Sequence, residues 1–121
     1  ATVFAAGPRL CRQHDCGNLA HVEPLIRIKR LVVARRVQFT HKAEIERVRD
    51  ALSVEDILES IVNANAIKKT LRSRAHGHSG EPLFVIESPN FVGTWIYTKG
   101  TIRREKGEEV FCVFVSAKLS T

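Results

Sequence analysis

The hydrophobic pattern of the chain changes its period once, near Asn65, and this change limits the possible folds more than any other feature. Before Asn65, apolar residues recur at the spacing of amphipathic helices. After it, they alternate with polar residues as in strands, and glycines and prolines interrupt the runs. Helices followed by strands predict an α+β fold rather than an alternating α/β fold.

Two helices are predicted in the first half of the chain. The first begins at Pro24, because proline is tolerated in the first turn of a helix. The second follows Thr40, a suitable N-cap, and ends near Leu52. Its expected buried stripe consists of Ile45, Val48 and Leu52, and its expected solvent face of Glu44, Glu46, Arg47 and Arg49.

A third helix has the clearest local signal. Ser53 and Asp56 have the spacing of a capping box. Apolar residues then recur at helical spacing as far as Val62. Asn63 and Asn65 favour the end of a helix over its interior, so we expect the helix to stop there.

The rest of the sequence predicts a four-stranded antiparallel sheet, with two or three helices packed on one face. The expected strands are residues 67–71, 83–87, 94–99 and 110–117. The expected turns lie at Gly77–Gly80, Pro89-Asn90, Gly100 and Lys106-Gly107. The last strand is apolar on both faces, so we expect it to be central in the sheet.

Residues 1–23 contain glycines and a proline but no sustained period, which predicts an irregular arm before a single domain at 24–121. A chain of 121 residues has room for one core. Three cysteines are an odd number and too few for a disulfide scaffold. No apolar run approaches the ~20 residues of a membrane-spanning helix. We therefore expect a cytoplasmic protein without a membrane partner.

The net charge of +6 indicates an anionic partner, which could be nucleic acid, an anionic membrane surface or an acidic protein. Phosphate binding needs several cations on one surface. The candidate RNA-binding residues are Lys68, Arg72, Arg74, Lys99, Arg103 and Arg104. The alternative is that the basic strand at 68–74 is a solvated edge strand, where lysine prevents aggregation.

Other chemistry has weaker signals. Cys11, His14, Cys16 and His21 could bind zinc, but they lack the usual pair of two-ligand knuckles. The alternative is an arm in which these residues are incidental, and we predict no metal. The motifs of nucleotide-binding loops and zinc proteases are missing from the sequence, so no cofactor is predicted.

Four segments carry a family resemblance: 54–65, Lys69-Thr70 with the histidine-containing loop after it, 96–99, and 113–118. Together they resemble the MqsR branch of the RelE-type messenger-RNA interferases, the toxins of bacterial toxin–antitoxin pairs, and related small domains of unassigned function. The resemblance covers about Pro24 to Lys118. It implies a RelE-like fold.

The resemblance also implies a metal-independent endoribonuclease that cleaves single-stranded messenger RNA and has a cognate antitoxin protein as a partner. The active-site positions of the family match Lys69, Tyr97 and Lys118. A rival interpretation is a non-catalytic module of the same fold that binds RNA or a protein through the same basic surface.

Cleavage of RNA without metal has three chemical needs. A 2′-hydroxyl is deprotonated, the crowded phosphorane is neutralised, and the leaving 5′-oxygen is protonated. Lys69 and Lys118, with Arg72 or Arg74, would hold the charge. The proton carrier would be Tyr97 or His76; histidine has the better intrinsic pKa.

Overall fold

The computed structural model describes residues 19–74, 77 and 79–121. The helices in this part are α1 (Leu19–Val33), α2 (His41–Arg49) and α3 (Val54–Asn63). The strands are β1 (Val37–Phe39), β2 (Lys69–Arg72), β3 (Pro82–Pro89), β4 (Trp95–Glu105) and β5 (Glu108–Leu119). The α+β class is confirmed.

Within the described residues, the sheet has one strand more than the sequence predicts. Strands β2 to β5 form the expected antiparallel succession, and β1 pairs in parallel with β5, so that the order is β1-β5-β4-β3-β2. Three residues are too few to show an alternating pattern, which is why β1 is not evident in the sequence. Strand β5 is interior, as its apolar sequence requires, but the middle strand is β4.

The predicted boundaries hold for α3 and are wrong for α1. The capping box is present: the Ser53 hydroxyl accepts from the Asp56 amide at 3.0 Å, and the Asp56 carboxylate accepts from the Ser53 amide at 2.9 Å. Helix α1 begins at Leu19 and contains Pro24, so the predicted boundary between arm and domain falls inside a helix. Proline lacks only one helical N–H, and here it does not mark the start.

Helices α1 and α3 pack on one face of the sheet, which we call the covered face. Ile57 and Ile61 of α3 are fully buried there. Burying such a side chain contributes about 1.5–3 kcal/mol relative to leaving it exposed. The sheet residues in this core are Phe84, Ile86, Ile96, Cys112, Phe114 and Ala117. We call the opposite side of the sheet the distal face.

Helix α2 has the orientation opposite to the predicted one, although Leu52, three residues after its end, is buried as predicted. Ile45 and Val48 are 54% and 65% exposed, whereas Glu46 is 8% exposed and Ala43 is fully buried. The helix therefore turns a carboxylate inward and two aliphatic side chains outward, and its amphipathic pattern does not identify its buried side.

The reason lies at the edge of β5. Strand β1 covers β5 only as far as Phe114, and beyond this point two amides of β5 bond to carboxylates of α2. Glu46 accepts from the Ala117 amide at 3.1 Å, and Asp50 accepts from the Leu119 amide at 2.8 Å. Four helical residues rise about 6 Å and two strand residues about 6.7 Å, so the two spacings match. The helix thus protects a strand edge.

Candidate functional site

A row of residues crosses the distal face at the level of Lys99. Lys69 of β2 pairs with Val85 of β3, Val85 pairs with Lys99 of β4, and Lys99 pairs with Ser116 of β5. Directly paired residues of antiparallel strands project to the same side of the sheet. Lys69 and Lys99 therefore lie on one face, separated by the buried Val85.

The neighbouring row contains the predicted tyrosine. Glu87 pairs with Tyr97, and Tyr97 pairs with Lys118. The Lys118 Nζ lies 5.4 Å from the centroid of the Tyr97 ring, within the range of a cation–π interaction. The three residues singled out by the resemblance, Lys69, Tyr97 and Lys118, thus share the distal face with Lys99.

Lys118 reaches this face because β5 contains a bulge. The register between β4 and β5 shifts between Lys99 and Gly100, and Val115 is left as an extra residue. Phe114 faces the core. In a regular strand Lys118 would face the same way, because side chains alternate with a period of two. One extra residue reverses the alternation and turns Lys118 to the distal face.

Gly100 permits the close approach of the strands at the bulge. A Cβ at this position would lie 3.0 Å from the Val113 carbonyl oxygen and 3.2 Å from Cδ1 of Phe114. The prediction of a turn at Gly100 is wrong, since the residue lies inside β4. This glycine marks a bulge rather than a chain reversal.

Lys99 is the centre of the cationic cluster. Its partial burial lowers the pKa of the ammonium group, and the charges of Lys42, Lys118 and Lys69 lower it further, against an opposing effect of Glu46. No described carboxylate forms an ion pair with Lys69, Lys99 or Lys118. Lys99 therefore releases its proton more readily than an ordinary lysine.

Tyr97 has the opposite tendency. Its partial burial raises the pKa of the phenol, and the carboxylates of Glu87 and Glu46 raise it further. The phenol therefore stays protonated at neutral pH and is suited to donate a proton rather than to accept one. A lysine with a lowered pKa and a tyrosine with a raised pKa therefore lie two residues apart on one face of β4.

A groove of about 560 Å³ extends over the distal face from Lys99 toward Arg103. Lys42 and Arg74 also line it, together with the carboxylate of Glu81. The Nε of Arg103 is buried, and no hydrogen-bond partner for it exists in the part of the chain that the structure describes. Several nitrogen donors converging on one groove are typical of a phosphate-binding surface.

Two predicted RNA-binding residues are not brought to this face. Arg72 lies three residues after Lys69 along β2. Because side chains alternate along a strand, it projects to the face opposite the distal face. Arg104 forms an ion pair with Glu109 at 3.0 Å, and Glu109 also contacts Arg27 of α1 at 2.9 Å. Arg104 therefore belongs to the helix side of the sheet.

Lys68 lies near the row that contains Tyr97, and the carboxylate of Glu87 compensates its positive charge. Its Nζ is hydrogen-bonded to Oε1 of Glu87, and Oε2 of Glu87 accepts from the Ser120 hydroxyl at 2.9 Å. These hydrogen bonds, first that of Lys68 and then that of Ser120, hold the pKa of Glu87 below its ordinary value. Glu87 is thus a fixed anion beside Tyr97.

The sequence reasoning missed three residues of the site. Trp95 is 55% exposed and lies two positions before Tyr97, on the same face of β4. The alternation of Trp95, Ile96 and Tyr97 could have indicated it. Lys42 and Glu46 were missed because α2 was expected to face the other way, and no local signal corrects that expectation.

Several predicted residues lie outside the described part of the chain. They are His76 and the zinc candidates Cys11, His14 and Cys16; His21 is described only as backbone within α1. Within the described residues, no group of three or more His, Cys, Asp or Glu side chains could hold a metal ion. Among the described helices, none has the length and apolar character needed to cross a bilayer.

Comparison of the chain with protein-family models, curated proteins and solved structures found no match. The features that bear on function are therefore those of the distal face itself: its lysines, its tyrosine and its exposed tryptophan.

Proposed function

We propose that the protein is an endoribonuclease that binds single-stranded RNA across the distal face and cleaves it with its own side chains. The observation that carries the proposal is the cluster of Lys69, Lys99, Tyr97 and Lys118 on one face. A polyanion would relieve the repulsion among the three lysines. This provides a physical reason for RNA to bind there.

The proposed reaction is the attack of a 2′-oxygen on the adjacent phosphorus. Lys99, as the neutral amine, accepts the 2′-hydroxyl proton, since its pKa is lowered by burial and by neighbouring cations. Lys69 and Lys118 stabilise the negative charge of the phosphorane. Tyr97 donates its proton to the leaving 5′-oxygen. The products are a 2′,3′-cyclic phosphate and a 5′-hydroxyl, and proton return from Lys99 to Tyr97 restores the enzyme.

Single-stranded RNA is the proposed substrate because of Trp95 and Tyr97. Unstacked bases bind aromatic side chains that lie beside a cationic backbone track. In a duplex, the bases would be stacked on each other and could not reach these rings.

The family resemblance extends this proposal. Under it, the substrate is messenger RNA, the protein is the cytoplasmic toxin of a toxin–antitoxin pair, and a cognate antitoxin protein is its partner. Expression in a bacterial host tests this extension. We expect growth arrest that is lost with Lys69→Ala or Tyr97→Phe, and normal growth on expression of the unaltered protein would contradict the toxin role.

A second candidate function is RNA binding without cleavage. It is favoured by the exposure of Trp95 and by the Tyr97–Lys118 contact, because stacking and cation–π contacts need no proton transfer. Under this alternative, Tyr97→Phe leaves RNA affinity nearly unchanged and there is no cleavage to lose. A protein ligand in place of RNA would bind equally well after such a change.

The deciding experiment incubates the folded protein with single-stranded RNA in the presence of a chelator. We expect fragments with cyclic phosphate ends, and a loss of cleavage in Tyr97→Phe without a matching loss of affinity. Lys69→Ala should also lose cleavage, and its charge-matched control is Arg30→Ala, at an exposed position of α1. Intact RNA at micromolar protein would refute the endoribonuclease proposal and leave RNA binding without cleavage as the remaining candidate.

A further inference from the structure

A second cavity, of about 530 Å³, lies at the other end of the tyrosine row, where β3 leaves β2 and meets the end of α3. It is lined by Trp95, Pro89, Glu87, Lys68 and Asn65. The proposed reaction uses none of these side chains. The cavity nevertheless adjoins the reacting groups, because Glu87 pairs directly with Tyr97.

We infer that this cavity is a base-binding subsite that selects guanine at a nucleotide next to the cleaved phosphate. The inference rests on the proposed function, since it names the base that the same RNA site recognises. Its two components are a stacking surface and a fixed hydrogen-bond acceptor.

The stacking surface is the indole of Trp95. This side chain is 55% exposed, although tryptophan is usually well buried. It pairs across the sheet with Pro89, which gives the cavity a second apolar wall. Stacking of a base on an aromatic ring contributes about 1–3 kcal/mol and does not distinguish the bases. Selectivity must therefore come from a polar group.

That polar group is the carboxylate of Glu87, which is 23% exposed. Lys68 occupies Oε1 and Ser120 occupies Oε2, which fixes the carboxylate in position. Each carboxylate oxygen accepts up to two hydrogen bonds, so one site on each remains for a ligand. The lowered pKa of Glu87 keeps the group an acceptor only at neutral pH.

Guanine is the base that complements such a group. Its Watson–Crick edge presents two adjacent N–H donors, N1–H and the 2-amino group, which match the two oxygens of a carboxylate. Adenine and cytosine each present one amino group beside an acceptor nitrogen, and uracil presents one N–H between two carbonyls. An acceptor nitrogen or carbonyl facing Glu87 would be repelled. The preference expected from one bidentate pair is about tenfold or more.

The test uses Trp95, which is the single tryptophan of the chain, as a fluorescent reporter. The probes are 2′-O-methyl pentanucleotides, which cannot be cleaved, with uridine at four positions and guanine, adenine, cytosine or inosine in the centre. We expect each to quench Trp95, with the guanine probe binding about tenfold more tightly than the adenine probe. Inosine, which lacks the 2-amino group, should be intermediate.

Glu87→Gln should reduce the guanine preference to about twofold or less, because the amide replaces one of the two acceptor oxygens of the carboxylate with an NH₂ donor. The control Glu108→Gln, which removes the same charge at the exposed β4–β5 turn, should keep the full preference. The comparison of guanine with inosine on the unaltered protein does not depend on how the variants fold.

Three further outcomes separate the two proposals. Equal affinity for all four probes overturns the guanine subsite and leaves RNA binding intact. No binding of any probe overturns the proposed function and the subsite with it. A guanine preference in a protein that leaves 2′-hydroxyl RNA uncleaved supports the subsite and refutes the catalytic step.

Discussion

The two faces of the sheet are built on different principles. The covered face buries Ile86, Ile96 and Phe114 against α1 and α3, and this apolar contact stabilises the fold. The distal face holds Lys69, Lys99 and Lys118 close enough for their charges to interact. Like charges at this separation oppose folding, and such local conflicts are typical of functional sites. The residues that stabilise the protein are thus separate from those that we propose to act on a ligand.

The largest expected effect of a single change is that of Lys99→Ala on cleavage. Loss of a general base lowers a rate about 10²–10⁴-fold. Stability should be unchanged or slightly higher, because a repulsive charge is removed. Lys99→Arg is the matched control: it keeps the charge and the RNA affinity but cannot deprotonate. Initial rates and thermal unfolding, measured together, check both parts.

The pH dependence of the unaltered protein follows from the same group. In the proposed reaction the neutral amine of Lys99 is the active form, so the rate should rise as pH increases through a pKa that lies below the ordinary value of 10.5. It should fall again at higher pH, where Tyr97, whose pKa is raised above 10.0, loses its proton. A rate that decreases steadily from pH 6 upward would contradict these roles.

Ile61→Ala, on the covered face, should have the opposite effect to Lys99→Ala: a loss of stability without a loss of activity. Ile61 is fully buried, and removal of such a side chain costs about 2–5 kcal/mol of unfolding free energy. The protein that remains folded should bind and cleave RNA normally, because Ile61 does not reach the distal face. Urea unfolding gives the first quantity, and rates per folded molecule give the second. A specific loss of activity would show that the two faces are coupled.

Gly100→Ala should affect both faces. The added Cβ would meet backbone and ring atoms at 3.0 and 3.2 Å, and overpacking of this kind costs about 1–3 kcal/mol. A displaced bulge would also move Lys118. In a double-mutant cycle with Lys118→Ala, we expect the effects on RNA cleavage to be less than additive. Full additivity would mean that the bulge does not position this lysine.

The smallest effect is expected from Ile45→Ser and Val48→Ser. Both side chains are more than half exposed, so each change should alter the unfolding free energy by about 0.5 kcal/mol or less. Ala43→Ser on the buried side of α2 is the contrasting variant and should be clearly destabilising. If instead Ile45→Ser cost several times more than Ala43→Ser, α2 would have the orientation that its amphipathic pattern predicts.

Much of the fold could be read locally. Ser53 and Asp56 encode the start of α3 within one helical turn, and the alternation around Tyr97 and Lys99 encodes a strand with both side chains on one face. The short strand β1 could not be predicted in this way, because a parallel partner far along the chain defines it. The start of α1 before Pro24 was also missed, because proline is tolerated in a first turn and Pro24 was therefore expected to mark the start of the helix.

The candidate site was predictable to a similar extent. Lys69, Tyr97, Lys99 and Lys118 were chosen from the sequence and lie on one face, whereas Arg72 and Arg104 were chosen for charge alone and lie elsewhere. The toxin family and the catalytic roles remain predictions. Trp95 could have been selected from the sequence, but its position in the lining of the second cavity is evident only in the structure.

The sequence by itself determined the order of helices and strands, the cap of α3 and the shared face of Tyr97 and Lys99, because each depends on residues a few positions apart. Only the tertiary structure decided that Glu46 is buried and that Lys118 lies beside Tyr97 on the distal face. Both depend on pairing across strands: Glu46 bonds an edge that β1 leaves uncovered, and the bulge opposite Gly100 reverses the alternation of β5. Such contacts join distant residues, and no local period records them.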